Sequence, residues 1–273
     1  MSYLANILEQ PDVLRSVIQT YKEAPEWERL HQGWVERATS HRLVLTGLGA
    51  SFNALYPARY YLHQKGIAAL HLDTGELVHY LPDLLQQPLV LVVVSQSGES
   101  IEIQRLLQQI DRMGPAPSPV WIVSVTNQPG NGLDRASHLS FQTRAGAEVG
   151  VATKTYTSTL ALLHCLARAI AGDLRPQDYV DLMQVADLCG QFLNGWEDWI
   201  DPAFEAVRQA TSFALVARGP SIASACNGAL VLQEAARCPA SGLWAVSFGT
   251  VQWKCCPLNW RRCCLHYPVE RWN

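Results

Sequence analysis

Apolar positions along the chain fall into runs whose period changes from helical to extended and back. Leu4, Ile7 and Leu8 before Pro11, followed by Val13, Leu14, Val17 and Ile18, keep a helical spacing and predict an N-terminal helical arm over residues 1–40. Arg42 to Thr46 (RLVLT) then reads as a short buried strand, Gly47 and Gly49 as a turn, and Ser51 to about Lys65 as a helix. Leu89 to Val94 is a stronger strand, followed by SQSGES and a helix from Ile101 to about Met113. Val120–Thr126 and Leu139–Thr143 predict two more strands, and Thr155 to Ala171 a long apolar helix. Strands that alternate with helices imply a parallel sheet covered on both faces.

The pattern then starts again. After a helical stretch from Asp178 to Leu193, FALVAR (213–218) reads as a strand, Gly219-Pro220 as a turn, and Ile222 to Arg237 as a helix. This echoes LVLTGLGASFNAL and suggests a duplicated unit whose second copy is incomplete. The expected organisation is an arm over 1–40, a first α/β unit over 41–175, the start of a second over 176–243, and an aberrant tail over 244–273.

Composition narrows the class. Of 273 residues, 48% are hydrophobic and 16% charged, with a formal net charge of −3, which excludes a disordered chain and disfavours a nucleic-acid footprint. The six-residue run Leu89–Val94 falls far short of the roughly 20 residues a membrane helix needs. With no basic stretch before an apolar one at the amino end, the chain is expected in the cytoplasm.

The chemistry is expected where strands end, because ligands of parallel α/β sheets bind beyond the strands' carboxyl ends. Ser95, Gln96, Ser97 and Ser100 lie there, just before a helix whose first N–H groups are free. Together they form a candidate anion cradle without lysine. Ser51, in the other strand-to-helix turn, adds a fourth hydroxyl, or else serves as an ordinary helix cap.

These residues carry a resemblance. GLGAS (47–51), VSQSGES (94–100), TN (126–127) and AGAEVGVATKTYTSTL (145–160) resemble the sugar isomerase (SIS) domain family, most of all the isomerase half of glutamine:fructose-6-phosphate aminotransferases. The resemblance implies a three-layer αβα, flavodoxin-like fold and a sugar-phosphate ligand. It also implies no cofactor and no metal, and a homodimer if the second unit is complete. It assigns the phosphate to Ser51, Ser95, Gln96, Ser97 and Ser100, and a wall of the sugar site to Val151. NGALVLQE (227–234) resembles the family's EGALKLKE, which puts Glu234 on the carboxylate that moves a proton between C1 and C2 of the sugar. Asn227 and Val231 depart from that pattern, where the family has glutamate and lysine. Ala50 likewise departs, where the synthase has threonine.

The tail departs altogether. Cys255, Cys256, Cys263 and Cys264 crowd the last 19 residues with Trp260 and Trp272, just after Trp253. Their spacing and His266 do not make a familiar zinc motif. Back-translated and read shifted by two nucleotides, AVSFGTVQWKCCPLNW can encode GQFRHGPVEMLSAELA, which follows the family pattern. A frameshift near residues 243–246 is therefore expected, with loss of the family's ring-opening histidine. Two functions follow as expectations: a phosphosugar-binding protein of the aminosugar-phosphate isomerase or deaminase type, inactive as this chain, or a non-catalytic sugar-phosphate-sensing module.

Overall fold

A computed structural model describes residues 2–112, 119–148 and 150–246; the tail expected to be aberrant lies, from residue 247 on, outside the described residues. Five parallel strands form the first sheet: β1 (Arg42–Gly47), β2 (Ala69–Asp73), β3 (Leu89–Val94), β4 (Val120–Thr126) and β5 (Leu139–Gln142), in the order β2-β1-β3-β4-β5. All six residues of β3 are buried, as expected of a central strand covered on both faces. Side chains alternate between the two cores. Leu43, Leu45, Val90, Val92 and Val94 face one, while Val44, Leu89, Leu91 and Val93 face the other.

The first core is closed by α4 (Ala50–Gln64) and α8 (Lys154–Ala171). The helices α2 (Gln10–Tyr21) and α3 (Pro25–Val35) join it, as does α9 (Pro176–Leu193), while the short α1 (Tyr3–Leu8) lies against α2. Leu14, Val17, Trp27 and Leu30 are buried there, so α2 and α3 are integral to the core. Trp27 stacks on Phe141 with ring centroids 4.4 Å apart, and the Tyr21 ring tilts against both. The second core is closed by α5 (Thr74–Tyr80), α6 (Ile101–Asp111) and α7 (Gly132–Ala136).

α9, which the sequence grouped with the second unit expected over 176–243, packs on the first core; the rest of that stretch holds α10 (Trp196–Val207), β6 (Phe213–Ala217), α11 (Ile222–Ala235) and β7 (Ala240–Trp244). β6 and β7 pair in parallel, repeating the strand, helix, strand order of β1, α4 and β2. The helix lies very close to its sheet. A Cβ at Gly242 would come within 2.5 Å of the Cys226 Cα, so only glycine fits there. Tyr56 of α4 packs with Ile222, Ala223 and Ala225 and joins the two units, and Trp244 meets the Tyr56 ring edge-on at 5.8 Å. α10 buries none of its residues; Trp199, Ile200 and Phe204 remain exposed.

Where α4 and α8 end, Asp173 accepts from the Lys65 ammonium and the Tyr61 hydroxyl, both at 2.5 Å. Burial raises the Asp173 carboxyl, but hydrogen bonds from Lys65 and Tyr61 outweigh it and hold the group below its ordinary range.

Two outcomes are expected. Phe141→Ala, which empties a fully buried aromatic site, should cost about 3–5 kcal/mol in urea unfolding. Because Asp173 is depressed in the folded state, its contribution is full at neutral pH and is lost as pH falls below about 4. Asp173→Asn should therefore lower stability more at pH 7 than in acid, as read by the difference in urea midpoint.

Candidate functional site

Strand order sets the site. The chain passes from β1 through α4 to β2 on one side, then returns to lay β3 on the other side of β1. α4 packs on one face of the sheet and α6 on the other. The turns after β1 and β3 thus diverge and leave a crevice at the strand ends, the usual ligand position in this architecture.

The turn after β3 carries Ser95, Gln96, Ser97 and Ser100. Ser95 is buried, and its hydroxyl accepts the Gly98 N–H at 3.1 Å. Ser97 accepts the Glu99 N–H at 3.2 Å. Ser100 caps α6 through the Ile103 N–H at 3.4 Å. These bonds curl the backbone. The N–H groups of Gln96, Ser97, Ser100, Ile101 and Glu102 have no partner among the described residues. Five free donors at the start of an 11-residue helix make an anion-attracting concavity. Gly98 has φ +64°, and a Cβ there would overlap the Asn131 carboxamide, so the curl requires glycine.

Across the crevice, α4 starts at Ala50, one residue earlier than its sequence suggested. Gly49 is the N-cap, and Ser51 stands inside the first turn. Its N–H donates to the Leu48 carbonyl, and its hydroxyl makes no hydrogen bond among the described residues. Ser51 is therefore not the helix cap.

The third wall follows β5. Glu148 accepts from the Thr153 N–H and hydroxyl and from the Lys154 N–H at 2.7–3.0 Å, and also from the Thr155 hydroxyl. This carboxylate thus caps α8 from outside the helix and fixes the segment that carries the half-buried Val151. Lys154 is 1% exposed, and its ammonium meets Glu9 at 2.6 Å. The amino-terminal region is thereby tied to the same wall. Neither carboxylate is marked out by spacing, since Glu9 meets a lysine 145 positions away and Glu148 is held by backbone N–H groups and threonine hydroxyls of the next helix start.

Glu234 lies on α11, exposed, one turn beyond Leu230, whose side chain approaches Gly49 at the lip of the first turn. The Tyr3 phenol is raised above its ordinary range by burial and then by the carboxylates of Glu148 and Glu234. Tyr3 therefore feels Glu234 and the third wall together. Asn227 is 7% exposed, and its Oδ1 has no partner among the described residues; Val231 is half-buried. No cluster of three metal-ligating side chains occurs among the described residues. No helix there is long and apolar enough to cross a membrane. His138 and His164 serve packing. His138 Nδ1 accepts the Ile122 N–H, and His164 bonds Arg168.

Residues 38–169 match the family model of the SIS domain. The isomerizing glutamine-fructose-6-phosphate aminotransferase of Zymomonas mobilis is 28% identical over 244 residues, covering 86% of this chain and 39% of the relative. Its counterpart in Pyrococcus horikoshii is 27% identical over 248 residues, covering 89% and 40%. The chain thus spans about two fifths of these relatives' length. In fold, it matches the C-terminal domain of glucosamine-fructose-6-phosphate aminotransferase from Francisella tularensis, with a TM-score of 0.75 at 20% identity over 91% of this chain and 71% of that one. Tagatose-6-phosphate ketose/aldose isomerase from Escherichia coli gives 0.73 at 20% identity over 92% and 68%. Residues 38–169 therefore carry a SIS domain, in a chain homologous to the isomerase domain of glutamine-fructose-6-phosphate aminotransferases.

Proposed function

We propose that this chain binds a sugar phosphate of the fructose 6-phosphate and glucosamine 6-phosphate class in the crevice between the turns after β1 and β3. The observation that carries the proposal is the set of five unpartnered N–H groups from Gln96 to Glu102, ringed by the serine hydroxyls. A phosphate seated there accepts from the backbone and from Ser51, Ser95, Ser97 and Ser100, with Gln96 beside it. No lysine is needed, because the helix start supplies positive potential. The sugar then extends toward Val151 and the segment held by Glu148.

In the catalytic version of this reading, Glu234 takes the proton from C2 of an aldose and returns it to C1, the hydrogen on O2 passing to O1 through an enediol. Two observations favour binding over turnover. Glu234 is exposed, not desolvated as a poised carboxylate base is, and Val231 leaves an apolar side chain where the resemblance expects an ammonium. A sugar-phosphate-sensing module without chemistry is the second reading that these observations support.

Calorimetric titration with fructose 6-phosphate tests the cradle. Ser95→Ala with Ser97→Ala removes two hydroxyls and should weaken binding roughly tenfold, at about 0.5–1.5 kcal/mol for each lost hydrogen bond. Proton NMR in D2O tests the chemistry. If the unaltered chain exchanges the C2 or C1 hydrogen, Glu234→Gln should slow exchange by about 100-fold or more while binding persists. Binding without exchange in the unaltered chain assigns the sensor reading, and no binding at all sinks both.

A further inference from the structure

Asn127 stands at the end of β4, between the cradle and the third wall, and is 5% exposed. Every polar group it carries is engaged. Its N–H donates to the Gln96 carbonyl at 3.0 Å, and its own carbonyl accepts the Arg144 N–H at 2.8 Å. Its Oδ1 accepts from the Thr143 hydroxyl at 2.9 Å and from the Ala145 N–H at 2.8 Å. Its Nδ2 donates to the Gly146 carbonyl at 2.7 Å. One residue thus holds the turn after β3 to the segment leaving β5.

The segment it holds is conformationally unfavourable on its own. Arg144 has φ +50°, a left-handed backbone that a residue with a Cβ rarely adopts, and Gly146 has φ +75°. Such conformations persist where surrounding bonds over-determine them. Here the N–H of Arg144 and the carbonyl of Gly146 both end on Asn127. Two residues beyond Gly146, Glu148 secures the start of α8, so the geometry set at Asn127 is passed along to the wall that includes Val151.

We propose that Asn127 is a positioning residue which couples the phosphate cradle to the sugar-facing wall, so that the affinity gained from the sugar depends on it while the affinity for phosphate alone does not. This rests on the phosphosugar reading above and adds to it how the two halves of the ligand are held in one register. The cradle donors come from the backbone of residues 96–102 and from serine hydroxyls, and Asn127 contributes none of them. A ligand bound by both walls uses fixed relative geometry, which costs nothing to arrange at the moment of binding.

The test compares two probes, inorganic phosphate and fructose 6-phosphate, titrated into the full chain and into Asn127→Ala, with thermal melting recorded for each. The unaltered chain should bind fructose 6-phosphate more tightly than phosphate. Asn127→Ala should change phosphate affinity by less than about threefold but erase roughly tenfold or more of the sugar phosphate's advantage, since three side-chain hydrogen bonds are lost. Thr143→Val, which removes one of those bonds, should erase a smaller part in the same direction and supplies the answer if Asn127→Ala does not fold. An unchanged ratio of the two affinities in the folded variants, or an equal loss of both, overturns the inference and leaves the phosphosugar reading standing. Failure of the unaltered chain to bind either probe overturns both.

Discussion

Parallel strands cannot be joined by tight turns, so each must be followed by a crossover that covers one face of the sheet. In this chain that constraint meets a reversal of direction between β1 and β3. The helices on either side of the reversal must cover opposite faces, and the turns leading into them must part. The crevice is therefore a product of connectivity before any polar residue is specified. Serines and glycine then shape its edge, leaving the N–H groups of Gln96, Ser97, Ser100, Ile101 and Glu102 without partners among the described residues. Gly98 permits a curl that a side chain would block, and Ser95, Ser97 and Ser100 each fix one bond of it.

Much of this was legible in the order of residues. β3, with six consecutive buried apolar side chains, can hardly be read otherwise, and the serine-rich turn after it stands at the strand's end where the sequence put it. What escaped had physical reasons. β2 is an edge strand, and His71 and Asp73 break its apolar pattern because its residues are only partly covered. β7 is written ASGLW, a poor strand by propensity, because the close approach of Cys226 requires glycine at its centre. Ser51 resembles a cap by type but sits two residues past the N-cap, Gly49. Asn127 and Glu148 were invisible in role, since the partners that define them are set by the fold and not by spacing along the chain. Polar residues of that kind are read from three dimensions.

The two units differ in how fully they are covered. The first has a core on each face of its sheet. The second has α11 against α4 on one side, while α10 keeps Trp199, Ile200 and Phe204 in solvent. Among the described residues, β6, α11 and β7 follow the same strand, helix, strand order with parallel pairing as β1, α4 and β2, with two strands in place of five. The unpartnered N–H groups after β3 all belong to the first unit, whereas Glu234 lies exposed on α11 of the second.

The boundaries of kinship and of folding do not coincide here. The family match starts at residue 38, yet Glu9 holds the buried Lys154 ammonium, and the Tyr21 hydroxyl accepts the backbone N–H of Gln142, 121 positions away. A segment cut out at the family boundary would lose α2 and α3, and with them part of the covering of its own core. The same contacts order events at the ribosome, where chains emerge amino end first and domains fold as units. The first three helices are made long before the surfaces that bury them, and must wait with Trp27 and Leu30 uncovered until β5 and α8 have been synthesised. Completion of the first unit is thus tied to the appearance of residues near 171, and the amino-terminal helices spend that interval as the part of the nascent chain most in need of shelter.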